Sequence, residues 1–224
     1  MTSNANVKPF FVKDCALMTI ATGKKAQNLK ELRDHLLNIH IGSIYHHFWG
    51  GLLRLGFDKP EYNNDFAEWV HDALQDHILA ERLSVVNPAA FADLESLREA
   101  LLEVIEQRLD EIGTLPWAEP DRQFHFVRSQ IIVFDTQARI EGPEHLVEAL
   151  PKLSVGSVFY HFIDARRRSP EMMDDFRSWL RSCGDGYEDL CSQLASLGPY
   201  FGSLVELRTQ LTNLFANYFR SVSA

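Results

Sequence analysis

The chain contains two similar segments, and this internal repeat limits its possible folds more than any other feature of the sequence. NLKELRDHLLNIHIGSIYHHF (28–48) matches GPEHLVEALPKLSVGSVFYHF (142–162) at a constant offset of 114 positions, so that Gly42 corresponds to Gly156. PEYNNDFAEW (60–69) then matches PEMMDDFRSW (170–179). A repeat of this length indicates a duplicated domain rather than a solenoid unit.

The apolar pattern predicts an α+β protein, predominantly helical, built from two tandem strand-plus-helices repeats. Each repeat opens with a segment rich in Val, Ile and Phe, at 10–26 and at 124–141, which predicts a strand. Five helices are predicted to follow in each repeat, from apolar residues spaced by three and four. We expect a first repeat at 1–113, a second at 121–224 and a short Pro-containing connector at 114–120. The repeats are expected to pack as one body about a pseudo-twofold axis, in which the two strands could pair.

Two pairs of residues predict where helices begin. Ser43 and Ser157 follow the repeated glycine, and a serine side chain at an N-cap accepts an otherwise unpaired N–H group of the first turn. Pro60 and Pro170 precede acidic residues, which the positive end of a helix favours, so each proline is predicted to begin a third helix.

Composition and charge exclude several classes of protein. The 22 basic and 31 acidic residues give a net charge of −9, which argues against a general surface for nucleic acid or anionic membranes. The run Arg166–Arg168 is interpreted as a solvated connector. The three cysteines form no CxxC pair, and neither a signal peptide nor a bilayer-spanning run is recognisable. We therefore expect a cytoplasmic protein that engages neither nucleic acid nor membrane.

The repeated histidines His47 and His161 are the first candidates for chemistry. A structural interpretation places each imidazole at the edge of the core, bonded to the chain. A functional interpretation brings the two together in a site between the repeats. Metal-ligand spacing is weak, because neighbouring histidines on a helix point in different directions and Tyr160 replaces His46 in the second repeat. No catalytic or cofactor motif is visible, so no cofactor is predicted.

The first repeat carries polar and aromatic residues that the second lacks, such as the pair Asn63 and Asn64. A repeat that acquires such residues is the better candidate for binding. The predicted binding residues are Lys24, Lys25, His46, His47, Trp49, Arg54, Asn63, Asn64 and His161. The alternative is sequence drift on a solvated face.

The segments TGKKAQNLKEL, GSIYHHFWGG and PEYNNDFAEW resemble a family of uncharacterised bacterial cytoplasmic proteins with a domain of unknown function. The resemblance implies a bacterial, cytoplasmic setting and carries over no activity or catalytic residue. From the residues themselves, we expect a non-catalytic binding or regulatory protein that engages a partner protein or a small anionic ligand through the first repeat. The alternative is a metal-assisted or histidine-base enzyme with a site between the repeats.

Overall fold

A computed structural model describes residues 8–53, 61–198 and 202–222. Helices account for 59% of the structure, and one two-stranded antiparallel sheet accompanies them. Its strands are β1 (Phe10–Ala26) and β2 (Phe124–Ile140), the two segments whose β-branched and aromatic content predicted strands. The helix-dominated α+β class and the pairing of the two strands are therefore confirmed.

Helices make up most of the other described residues in both halves of the chain. The first half contains α1 (Leu29–Leu36), α2 (Ile41–Trp49), α3 (Asp65–Asp72), α4 (His77–Ser84) and α5 (Leu94–Glu111). The second half contains α6 (Leu146–Ala149), α7 (Val155–Val158), a π-helical segment (Phe159–Asp164), α8 (Ala165–Arg168), α9 (Asp175–Ser182), α10 (Glu188–Ser196) and α11 (Leu204–Val222). Short 3-10 helices lie at Gly50–Leu53, Pro88–Ala90, Pro143–His145, Leu150–Lys152 and Asp185–Tyr187.

The chain divides into two compact units. Unit 1 contains Met1–Ala16 and Ile132–Ala224, and unit 2 contains Leu17–Ile131. The division falls inside both strands, so each unit contains half of β1, half of β2 and the helices of one predicted repeat. The predicted connector at 114–120 lies within unit 2.

In unit 2, the helices of the first predicted repeat bury the beginning of β2. The Phe124 ring stacks on Phe66 of α3, with ring centroids 5.2 Å apart. The indole Nε1 of Trp69 donates to the Arg122 carbonyl at 2.7 Å, immediately before the strand. This part of the core therefore depends on the first residues of the second predicted repeat.

Unit 1 shows the corresponding contacts with the beginning of β1. Phe10 stacks on Phe176 of α9 at 5.2 Å, and Trp179 Nε1 donates to the Lys8 carbonyl at 2.8 Å. The aromatic residues of α9 thus bury the beginning of the strand that opens the first predicted repeat. Burying large aromatic rings contributes much of the stability of a core of this kind.

The predicted caps at Ser43 and Ser157 are wrong. Helix α2 is capped three residues earlier, by His40, whose Nδ1 accepts the N–H of Gly42 at 3.0 Å, and α7 is capped by Ser154. The Ser43 hydroxyl donates instead to the carbonyl of Val127 in β2 at 2.7 Å. A long-range partner, which no local pattern contains, decides the role of this serine.

The third helices begin at Asp65 and Asp175 rather than at the prolines. Asn64 Oδ1 accepts the N–H of Ala67 at 2.9 Å, and Asp174 Oδ1 accepts that of Arg177 at the same distance. These short polar side chains satisfy the first turn, which is the usual role of Asn and Asp at an N-cap. Pro170 lies well before α9, and Pro60 lies outside the described residues.

Candidate functional site

The imidazole of His47 lies at the centre of unit 2 and joins three elements. It projects from α2, and its Nδ1 lies 2.8 Å from Asp65 Oδ2 in the first turn of α3. Its Nε2 accepts the backbone N–H of Val127 in β2 at 3.2 Å. Because a backbone N–H only donates, these bonds select the tautomer with its proton on Nδ1. Both ring nitrogens are therefore engaged within the unit.

His161 has the same arrangement in unit 1. Its Nδ1 lies 2.7 Å from Asp175 Oδ2, and its Nε2 accepts the backbone N–H of Lys13 at 2.9 Å. The ring centroid lies 4.7 Å from that of Phe10, the distance that separates His47 from Phe124. Each histidine thus connects two helices to a strand, which favours the structural interpretation. The two residues belong to different units, and neither has a ring nitrogen uncommitted for proton transfer.

The surroundings of His47 and of His161 are called the first and the second centre. The second centre differs from the first in a charged neighbour, Arg168. Arg168 donates to Asp175 Oδ2 at 3.1 Å and to Asp164 Oδ2 at 2.9 Å. Its guanidinium also lies 4.0 Å from the centroid of the Tyr160 ring, a cation–π contact. The arginine run is therefore not a solvated connector, since it forms helix α8, and Arg167 and Arg168 make ion pairs with the buried Asp164.

The first centre has a second histidine where the other has Tyr160. His46 is 4% exposed, and its Nδ1 lies 2.6 Å from the Ser129 hydroxyl in β2. Its ring meets that of His47 nearly edge-on, with centroids 5.1 Å apart. A ligand atom of His46, one of His47 and one of Asp65 all lie within 4.8 Å of one another. Their spacing is that of a metal-ligand cluster, but both ring nitrogens of His47 are already engaged by Asp65 and Val127.

A glycine makes room for this histidine. A Cβ atom added at Gly50 would lie 2.9 Å from Nδ1 of His46, closer than real Cβ atoms approach. The offset of 114 places Asp164 at this position in the second predicted repeat. Gly50 is thus a sequence signal for the His46 position whose meaning only the packing reveals.

Besides the two histidines, two further predicted binding residues of the first repeat are buried. Trp49 is 5% exposed, and its ring stacks on Tyr45 with centroids 5.2 Å apart. Asn64 is 4% exposed, and its amide donates to the Leu83 carbonyl at 3.0 Å as well as to Asn63. These side chains stabilise the helices around them and do not present a polar surface.

The remaining predicted binding residues are more accessible. Lys24 and Lys25 lie near the end of β1, where Lys25 is exposed and Lys24 is half-buried. Asn63 is half-buried just before α3. Arg54 lies outside the described residues. Of the surface predicted from the sequence, only these lysines and Asn63 are accessible in the described part of the chain.

Unit 1 contains a groove that the sequence did not indicate. It has a volume of about 590 Å³ and lies between the strands, the segment 145–153 and the beginning of α7. Val12, Ile140 and Leu153 contribute apolar surface, and the acidic side chains at its walls are Asp14, Glu141 and Glu148. Its charges come from separate turns, so no local motif marks it.

One of the two cationic side chains that line the groove, Arg139, is already paired. Arg139 donates to both carboxylate oxygens of Asp135, at 2.9 and 2.8 Å. The exposed Lys152, Glu141 and Glu148 make no side-chain hydrogen bond or ion pair with any part of the chain that the structure describes. The unpaired charge facing the groove is therefore mainly negative.

Within the described ranges, no helix combines the length and apolar character needed to cross a membrane.

Comparison with known proteins identifies relatives of this fold. No curated protein matches the sequence. The structure of OrfY from Thermoproteus tenax is similar, with a TM-score of 0.79 and 28% sequence identity over 93% of this chain and 94% of that one. Since Thermoproteus is an archaeon, the fold is not confined to bacteria. A model of a family of unknown function, DUF5752, matches residues 7–216, and the chain therefore belongs to that family.

Proposed function

We propose that this chain is a binding or regulatory protein that takes a small molecule carrying an ammonium group in the groove of unit 1. The observation that carries the proposal is the cavity of about 590 Å³ with unpaired charged side chains at its walls. This volume lies within the usual range for small-molecule sites, which combine apolar surface with a few polar groups. Val12, Ile140 and Leu153 supply the apolar surface.

The charge of the groove selects the class of ligand. Asp14, Glu141 and Glu148 face it, whereas Arg139 is neutralised by Asp135. Lys152 supplies the remaining positive charge, so carboxylates outnumber the available cations. A ligand with a positive charge is attracted to such a groove, and a carboxylate on the same ligand would be accommodated by Lys152.

A matched pair of probes tests the proposal. 1,4-Diaminobutane should raise the melting temperature of the protein in a concentration-dependent way, because ligand binding to the folded state stabilises it. Butane-1,4-diol, which has the same length and no charge, should leave it unchanged. The double variant Glu141→Gln and Glu148→Gln should lose the response. Glu103→Gln removes an exposed carboxylate of α5 in unit 2 and should retain it. A response that is absent, or equal in both variants, would reject the groove as the site.

The surface of the first repeat remains a second candidate. Lys25 is exposed and Lys24 is half-buried beside it, so together they offer positive charge to a partner protein or a small anionic ligand. If this surface acts, replacing both lysines by glutamine abolishes capture of that partner and leaves the diamine response of unit 1 intact.

We also propose that the two halves arose by duplication in a cytoplasmic protein. The support for duplication is that equivalent residues make equivalent bonds. Thr22 Oγ1 donates to the Phe126 carbonyl, and Thr136 Oγ1, at an offset of 114, donates to that of Val12. The support for a reducing compartment is that all three cysteines are free and buried.

A further inference from the structure

We propose that a cleft between α9 and α10 of unit 1 binds a zwitterionic small molecule of amino-acid or short-peptide chemistry. The ligand's carboxylate lies against arginines of α9, and its ammonium group lies against acidic residues at the start of α10. The cleft shares no lining residue with the groove beside the strands, and it does not depend on that groove being a site. Its volume of about 580 Å³ lies within the usual range for small-molecule sites.

Helical spacing places the charged side chains along the two walls of the cleft. Arg177 and Arg181 are four residues apart and share one face of α9. Gly184, with a φ of +124°, follows this helix and allows a backbone conformation that other residues rarely adopt. Glu188 and Cys191 are three apart on the face of α10 that lines the cleft. Cys191 is 7% exposed, so the cleft has apolar surface between its charged walls.

The α9 wall has an excess of positive charge. Arg177 Nε donates to Asp174 Oδ2 at 2.6 Å, and Arg166 lies 3.8 Å from the same oxygen, so one buried carboxylate serves two guanidinium groups. The terminal nitrogens of Arg177 make no hydrogen bond to any residue that the structure describes. Arg181 lies 3.8 Å from Glu171, but these side chains are 62% and 72% exposed, and water weakens such a pair. Both arginines can therefore bind a carboxylate in the cleft.

The opposite wall has unpaired negative charge. Asp185 and Glu188 are exposed, and within the described ranges neither makes a side-chain hydrogen bond or an ion pair. The arginines of α9 and these carboxylates thus face one cleft without neutralising each other. A simple anion would be attracted by one wall and repelled by the other, and the same holds for a simple cation. A ligand with both charges is attracted by both walls.

A matched set of three probes tests this charge pattern. 6-Aminohexanoate carries both charges on a flexible chain, whereas hexanoate and hexylamine each carry one. The titrations use the full-length chain with Glu141→Gln and Glu148→Gln, so that an amine bound in the groove beside the strands does not contribute. 6-Aminohexanoate should raise the melting temperature in a concentration-dependent way, because it binds the folded state. Hexanoate and hexylamine should have less than half of this effect at the same concentration.

Substitutions in the same background locate the site. Arg181→Gln and Glu188→Gln should each weaken binding of 6-aminohexanoate roughly tenfold in calorimetry, because each removes one charged partner. Arg220→Gln changes an exposed arginine in the last turn of α11 and should leave the affinity unchanged. Melting curves without ligand establish that each variant is folded. Asp185→Asn replaces Glu188→Gln if the latter does not fold.

Three results would overturn the proposal. The first is that 6-aminohexanoate does not bind at millimolar concentration. The second is that hexanoate or hexylamine binds as tightly, which would show that only one wall acts. The third is that Arg181→Gln and Glu188→Gln retain the affinity of the parent chain, which would place the ligand elsewhere.

Discussion

The Nε2 atom of His161 accepts a hydrogen bond from the backbone N–H of Lys13, 148 positions earlier in the chain. His47 makes the equivalent bond with Val127 in β2. Each imidazole thus holds the opening strand of the other predicted repeat against the helices of its own. The two units therefore share the same histidine–strand bond as well as the same aromatic packing.

Replacing either histidine should destabilise the protein. His47→Ala or His161→Ala leaves a part-buried backbone N–H without its acceptor and takes the imidazole partner from a carboxylate, which should cost roughly 1–3 kcal/mol of unfolding free energy. Because the residues lie in different units, the double variant should show the sum of the two losses, measured by urea denaturation. His125→Ala, at an exposed position of β2, is the control and should change stability by less than about 0.5 kcal/mol. Two neutral single variants would contradict the structural role.

A glycine substitution tests the backbone at the end of β1. Gly23 has a φ of +75°, and no atom lies within 4 Å of a Cβ added there. Gly23→Ala should therefore cost about 1 kcal/mol through its backbone conformation alone. Gly113→Ala also meets open space but does not require a positive φ, so it should be neutral or slightly stabilising. Equal melting temperatures for the two variants would contradict this explanation.

Stability at high pH should depend on Cys15. Burial, together with the Asp14 carboxylate, raises the pKa of the Cys15 thiol from 9.0 to about 12. The unfolded chain therefore loses this proton first, and the stabilising contribution, complete below pH 9, disappears as the pH rises towards 12. Between pH 9 and 10.5, the wild-type protein should lose unfolding free energy faster than Cys15→Ala, by roughly 1 kcal/mol per pH unit. If the wild-type protein and Cys15→Ala lost unfolding free energy equally across this pH range, burial would not raise the pKa of the thiol.

The first predicted repeat should not fold as a monomer. A fragment of residues 1–113 lacks Phe124, Phe126 and the Val127 N–H, which complete the core of unit 2. The duplication proposal implies that residues 10–16 of a second fragment can fill this place, since they correspond to 124–130. Analytical ultracentrifugation should show a dimer or an unfolded chain. A stable, folded monomer would contradict the exchange of strands.

Local patterns predicted the strands and the main helices, although not the residues at which several helices begin. The predicted strand at 10–26 coincides with β1, and the leucine stripe that begins at Leu94 predicts α5. Phe66 and Trp69 share a buried face of α3, as their spacing requires. Periodicity succeeds in these places because it depends on neighbours a few residues away in the same element.

The sequence by itself determined the α+β class, the two strands, the helical faces and the residues that mark a repeat. Only the tertiary structure decided that Ser43 bonds Val127, that His46 and His47 meet Asp65, and that Trp49 and Asn64 are buried. It also created the groove in unit 1 from separate turns. The physical reason is the distance along the chain over which the two kinds of interaction act. Helix and strand patterns arise from local geometry, whereas the partner of a polar side chain depends on which distant strand covers its helix.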